Sequence, residues 1–123
     1  MRKAVFPALV VLAVLTAGCS SGSDAADQQR LTEQRENYCA QLGTWQKARN
    51  AAEADPPDAS EFDEVGALAE DAFIAMRPVQ EETVGGGRSL GEATSAAMHD
   101  NDSEAEGRLV DYCADSGFET LTR

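Results

Sequence analysis

Apolar positions in residues 28–123 recur at helical spacing. Within 28–54, Leu31, Tyr38, Leu42, Trp45 and Ala52 are separated by seven, four, three and seven residues, one stripe of a helix with Cys39 at its margin. Asp55-Pro56-Pro57-Asp58 ends that helix, because the residue before a proline is driven out of the helical region. A second helix is expected from Ser60, with Asp63 three residues on as a weak capping box. Its inward face holds Phe62, Val65, Ala69, Ala72, Phe73 and Met76. Pro78 stops or bends it near Arg77, Val79 to Val84 follow as a bent last turn, and Gly85-Gly86-Gly87 breaks the chain. Ser89 with Glu92 opens a third helix that turns Leu90, Ala93, Ala97 and Met98 inward. Ser103 with Glu106 opens a fourth, bearing Ala105, Leu109, Tyr112 and Cys113. Gly117 suits the left-handed position past that helix and lets Phe118 fold back on Tyr112 and Cys113. No segment alternates with period two and no hairpin signal is present, so the pattern predicts an all-α fold.

The first 27 residues read differently. Arg2 and Lys3 precede fourteen uncharged residues, 4–17. A membrane-spanning helix needs roughly 20 apolar residues, so this run has the proportions of a secretory signal rather than of a permanent span. The sequence Leu15-Thr16-Ala17-Gly18-Cys19 resembles the lipobox of bacterial lipoproteins, with Thr16 where the strongest examples carry leucine. The resemblance implies cleavage after Gly18 and a diacylglyceryl group on the sulfur of Cys19. Two acyl chains hold a protein firmly to a bilayer where one holds it marginally. Residues 1–18 are thus expected to be a signal peptide and 19–27 a flexible tether, small and polar (Ser-Ser-Gly-Ser-Asp-Ala-Ala-Asp after Cys19). Residues 28–123 form the helical domain.

With Cys19 assigned to lipid, Cys39 and Cys113 remain. In an oxidising compartment an even pair reads as a disulfide. They lack the Cys-x-x-Cys spacing of a redox-active pair. The bridge also discriminates between helix counts. If the last two helical segments were one, the cysteines would stand on parallel helices roughly 20 Å apart in height, beyond a disulfide's reach. A turn at residues 100–103 makes the last helix antiparallel to the first and lowers the mismatch to about 7 Å. The expected architecture is a small antiparallel four-helix bundle.

Composition sharpens the need for that bridge. From Cys19 onward the chain has 105 residues, of which only fourteen are Leu, Ile, Val or Phe. These residues carry all 22 acidic side chains and eight basic ones, a formal charge of −14. Such acidity excludes nucleic acid and anionic lipid surfaces as electrostatic partners. It leaves a basic protein or peptide as the partner of matching charge. The acidic runs Glu33 to Glu36 and Glu81-Glu82 read as solvated faces.

Candidate chemistry is sparse. Asp100-Asn101-Asp102-Ser103-Glu104 has the alternating oxygens of a calcium loop, yet Ala105 stands where the turn needs glycine and Asp111 where a bidentate glutamate belongs. It reads as a turn and helix cap. His99, the single histidine, lacks a nucleophile motif and reads as a helix-end residue. Gly-Gly-Gly-Arg-Ser at 85–89 lacks the lysine and preceding strand of a phosphate loop. No catalytic residue, metal ligand or cofactor is assigned.

The lipobox, Tyr38-Cys39 in the first helix and the ending Asp111-Tyr112-Cys113-Ala114-Asp115-Ser116-Gly117-Phe118 together resemble the small helical lipoproteins of actinobacteria. Heavy alanine use and a single lysine after Cys19, Lys47, fit a GC-rich source. The resemblance implies a location, the outer face of the cytoplasmic membrane, and no reaction. The functional expectation is a non-enzymatic, lipid-anchored interaction module with an acidic surface. The alternative is a small-molecule carrier whose apolar pocket between helices would be lined by Tyr38, Trp45 and Phe73.

Overall fold

A computed structural model describes residues 20–55 and 59–120. Cys19, the signal sequence and Pro56-Pro57-Asp58 lie outside the described residues, as do the side chains of Ser60 and Phe62. Four helices follow in order: α1 (Ser20–Ala54), α2 (Ala59–Met76), α3 (Leu90–His99) and α4 (Ser103–Asp115). They form an all-α bundle in which α1 pairs with α2, α3 pairs with α4, and α4 meets α1.

Each boundary has a local cause. Pro78 has no N–H to offer the carbonyl four residues back, and α2 gives way to a 3₁₀ turn, Arg77–Val79. The expected bent helical turn from Val79 to Val84 is not helical beyond Val79. One further turn closes where the Glu82 amide donates to the Val79 carbonyl at 3.0 Å. The chain then doubles back through an antiparallel bridge between Thr83 and Ser89. The triple glycine makes this reversal possible, with Gly86 and Gly87 at φ 83° and 75°. A Cβ on Gly86 would also stand 1.4 Å from Nη1 of Arg108, whose guanidinium covers the loop. Gly86→Ala should therefore cost about 1–2 kcal/mol, mainly from the left-handed backbone, which urea unfolding will measure.

Ser89 caps α3 by accepting from the Glu92 amide at 3.2 Å, as its sequence predicts. At α4 the cap is Asp102 rather than the expected Ser103. Its Oδ1 accepts from the amides of Glu104 and Ala105 at 3.0 and 3.2 Å. Asn101 just before it takes a positive φ of 54°. A carboxylate at that position also meets the positive helix end, which a hydroxyl does not. The far end of α4 closes as expected: Gly117 has φ 89°, its amide reaches the Ala114 carbonyl, and the Phe118 amide reaches that of Cys113 at 2.8 Å. Phe118 thereby packs on the core.

That core is thin in large side chains. Tyr38, Leu42 and Trp45 come from α1, Ala75 and Met76 from α2, and Val79 and Val84 from the link. Leu90, Ala93 and Ala97 of α3 and Ala105, Leu109 and Cys113 of α4 complete it. Alanine at four of these positions brings the helix backbones close without loss of side-chain entropy.

The tether expected at 19–27 differs from what is found. From Ser20 it is helix, continuous with the rest of α1, and residues 24–30 are exposed throughout. Helix propagates from an already packed segment far more readily than it nucleates, and Ala25, Ala26, Gln28, Gln29 and Arg30 are good formers.

Candidate functional site

A network of hydrogen bonds surrounds the disulfide. Cys39 on α1 and Cys113 on α4 are joined, with Cα atoms 5.8 Å apart, and both are buried. Each is preceded in sequence by a tyrosine. Tyr38 and Tyr112 meet edge to face, centroids 6.3 Å apart. The Tyr38 hydroxyl lies 2.7 Å from Thr94 Oγ1 on α3, and Thr94 donates to the Leu90 carbonyl at 2.7 Å. Since the single threonine proton goes to that carbonyl, Tyr38 is the donor to Thr94. Tyr112 donates to Glu82 Oε2 at 2.6 Å, and Arg35 Nε donates to the same carboxylate at 2.9 Å, reinforced by its Nη2. Glu82 thus ties the link after α2 to both α1 and α4. The sequence reading of Glu81-Glu82 as solvated is corrected for Glu82, which is half-buried and clamped.

This arrangement sets the ionisation of its members. Burial raises the Glu82 carboxyl, but the bonds from Arg35 and Tyr112 outweigh it and hold the group below its ordinary value. Burial, followed by the bond to the Glu82 carboxylate, pushes the Tyr112 phenol well above its own. Burial does the same to Tyr38, against the opposing bond to Thr94. Raised phenol pKa values mean stability that is intact below about pH 10 and lost as pH climbs further. The lowered Glu82 contributes above its unfolded value of 4.5, and that contribution fades as pH falls through its folded pKa. The chain has two tyrosines in all. An alkaline titration should therefore show no tyrosinate absorbance at pH 10–11 while the helical signal persists, then both appearing together with unfolding. Half-ionisation near pH 10 in the folded protein would contradict the buried network.

A second polar cluster lies between α1 and α4. Arg49 Nη2 and Glu106 Oε1 pair at 2.8 Å with both side chains almost wholly buried, 9% and 4% exposed. Gln46 Nε2 donates to the same glutamate oxygen at 3.0 Å, and Arg49 also donates twice to Asn50 Oδ1. The guanidinium carbon stands 4.6 Å from the Trp45 ring centre, over its face. Arg49 Nη1 makes no hydrogen bond, so the ring supplies the remaining compensation. No pattern in the sequence marked this cluster beyond the place of Trp45 on the apolar stripe of the first helix. Charged residues at inward positions are legible only once a partner helix is known.

The three residues considered for a ligand pocket are occupied by the fold. Tyr38 and Trp45 are buried among the contacts just described. Phe73, half-buried, stacks on His99 with ring centres 5.1 Å apart and planes at 23°. Three concavities lie away from these residues: one beside 77–82, one between α1 and residues 119–120, and the niche of Gly86, Arg88, Asp102, Glu104 and Arg108. In that niche the cations are already engaged, Arg88 with Asp102 at 3.6 Å and Arg108 with Glu104 at 2.5 Å. Among the described residues no three His, Cys, Asp or Glu side chains gather as a metal site. His99 is exposed, and its ring is placed on Phe73.

Among the described residues Arg35, Arg49, Arg88 and Arg108 are each tied to a carboxylate. Exposed acids are spread over all four helices, among them Glu33, Glu36, Glu64, Glu70, Asp71, Glu92, Asp111 and Asp115. Among the described residues no helix is long and apolar enough to cross a membrane. No protein-family model matches the chain, and comparisons with curated proteins and with solved structures give no match.

Proposed function

We propose that this chain is a lipid-anchored extracytoplasmic protein, akin to the small helical lipoproteins of actinobacteria. A lipid on Cys19 holds it to the outer face of the cytoplasmic membrane, and its domain is a non-catalytic interaction module for a basic protein or peptide. The observation that carries the anchor is Leu15-Thr16-Ala17-Gly18-Cys19 at the end of a fourteen-residue uncharged run behind Arg2 and Lys3. The partner's chemistry follows from a formal charge of −14 after Cys19. Tyr38 and Trp45 are buried in the core and Phe73 stacks on His99, which favours recognition at the surface over a carried small molecule.

Mass spectrometry of the native protein tests the anchor: the amino-terminal peptide should begin at Cys19 and carry acyl chains. Cys19→Ser should move the protein to the soluble fraction with its melting temperature unchanged. For the partner, an oligo-arginine peptide should bind at low salt and lose affinity steeply as ionic strength rises, since exposed charges are screened beyond about 8–10 Å at physiological salt. Binding that is indifferent to salt would refute the electrostatic reading.

A further inference from the structure

We propose that residues 20–30 form a rigid helical stalk that fixes the height and the orientation of the domain above the membrane, an inference that rests on the lipid at Cys19. The first residue of α1, Ser20, is the neighbour of Cys19, so helix follows the anchor point directly. Residues 24–30 are exposed, and Leu31, next along α1, packs against the core. The segment between them carries no large apolar side chain, so it offers no greasy stripe to a partner helix or to lipid. It does carry support for its own helicity. Asp27, Arg30 and Glu33 alternate in sign at spacings of three, and Gln29 bonds to Glu33 at 3.3 Å. Asp24 and Asp27 face the end that would meet an anionic bilayer and are repelled by it, which keeps the segment upright.

The mean height does not separate a stalk from a loose tether. Eleven helical residues span about 16 Å, and a flexible chain of that length has an r.m.s. extension of about 17–20 Å. What differs is the spread of distances and the rotational setting. A stalk continuous with α1 holds the bundle in one setting relative to the segment next to the anchor, and a coil lets that setting vary.

The experiment is a distance distribution between nitroxide labels at Asp24→Cys and Thr44→Cys, two exposed positions of α1, in the lipid-anchored protein reconstituted into phosphatidylglycerol-containing vesicles. Twenty helical residues give a single narrow peak near 30 Å. Adding Ala25→Gly and Ala26→Gly should broaden that peak severalfold and leave the melting temperature unchanged, because neither side chain touches the core. A broad distribution in the unsubstituted segment, with acyl chains present on Cys19, overturns the stalk and leaves the anchor standing. A narrow peak in protein that lacks acyl chains and stays out of the vesicles overturns the anchor, and the stalk with it.

Discussion

Replacing Cys113 with serine should lower the unfolding free energy by about 4 kcal/mol, the chain-entropy value for a loop of this length. Domains of this size are stable by about 5–15 kcal/mol in all. The bridge closes a loop of 74 residues between the first and last helices of the bundle, and it sits among Tyr38, Tyr112 and Leu109 in a core short of large side chains. At about 4–8 °C per kcal/mol for small domains, the melting temperature should drop by some tens of degrees. The singles and the double offer the sharper test. Cys39→Ser, Cys113→Ser and the pair together should lose nearly the same stability, because either change opens the one link. Reductant should mimic them in the native sequence and have no effect on the variants. Equal melting temperatures with and without reductant would show that the bridge does not support the fold.

The second large effect is expected at Glu106. Glu106→Ala leaves the Arg49 guanidinium buried with its charge partner gone, which costs about 3–5 kcal/mol in comparable buried pairs. Replacing both members, Arg49→Met with Glu106→Leu, should recover much of that loss, since a buried pair is often worth no more than well-packed apolar side chains. The comparison is decisive when made by urea unfolding at one pH: the single variant less stable than the double. If Glu106→Ala and the double are equally unstable, the cost lies in packing around Trp45 and Ala105 rather than in a stranded charge.

Local signals in the sequence translated well into structure wherever one residue type has one physical use. Proline at 78 stopped a helix, Ser89 capped one, and Gly117 closed one with Phe118 folded behind it. The cysteines at 39 and 113 paired, and their spacing required a break near residue 100, where α3 in fact ends. Sequence reasoning faltered where two residues could serve the same purpose, as with Asp102 and Ser103 at the start of α4. It also faltered where the environment decides. Glu82, Glu106, Arg49 and Gln46 look like surface residues until α1 and α4 are brought together, and each then becomes a fixed part of the interior or its edge. The extent of α1 was hidden for a related reason. Serine, glycine and aspartate in residues 20–27 read as a linker by composition, and the helix they join extends into them from a packed segment.

The placement of the bridge has a mechanical consequence. Tension applied between the two ends of the chain enters through α1, crosses from sulfur to sulfur at Cys39 and Cys113, and leaves through the last turn of α4. The stretch between those cysteines, including all of α2 and α3, carries none of that load while the bond is intact. A protease cut within that stretch likewise leaves the two fragments covalently joined, so freeing the bundle from residues 20–38 requires cleavage ahead of Cys39.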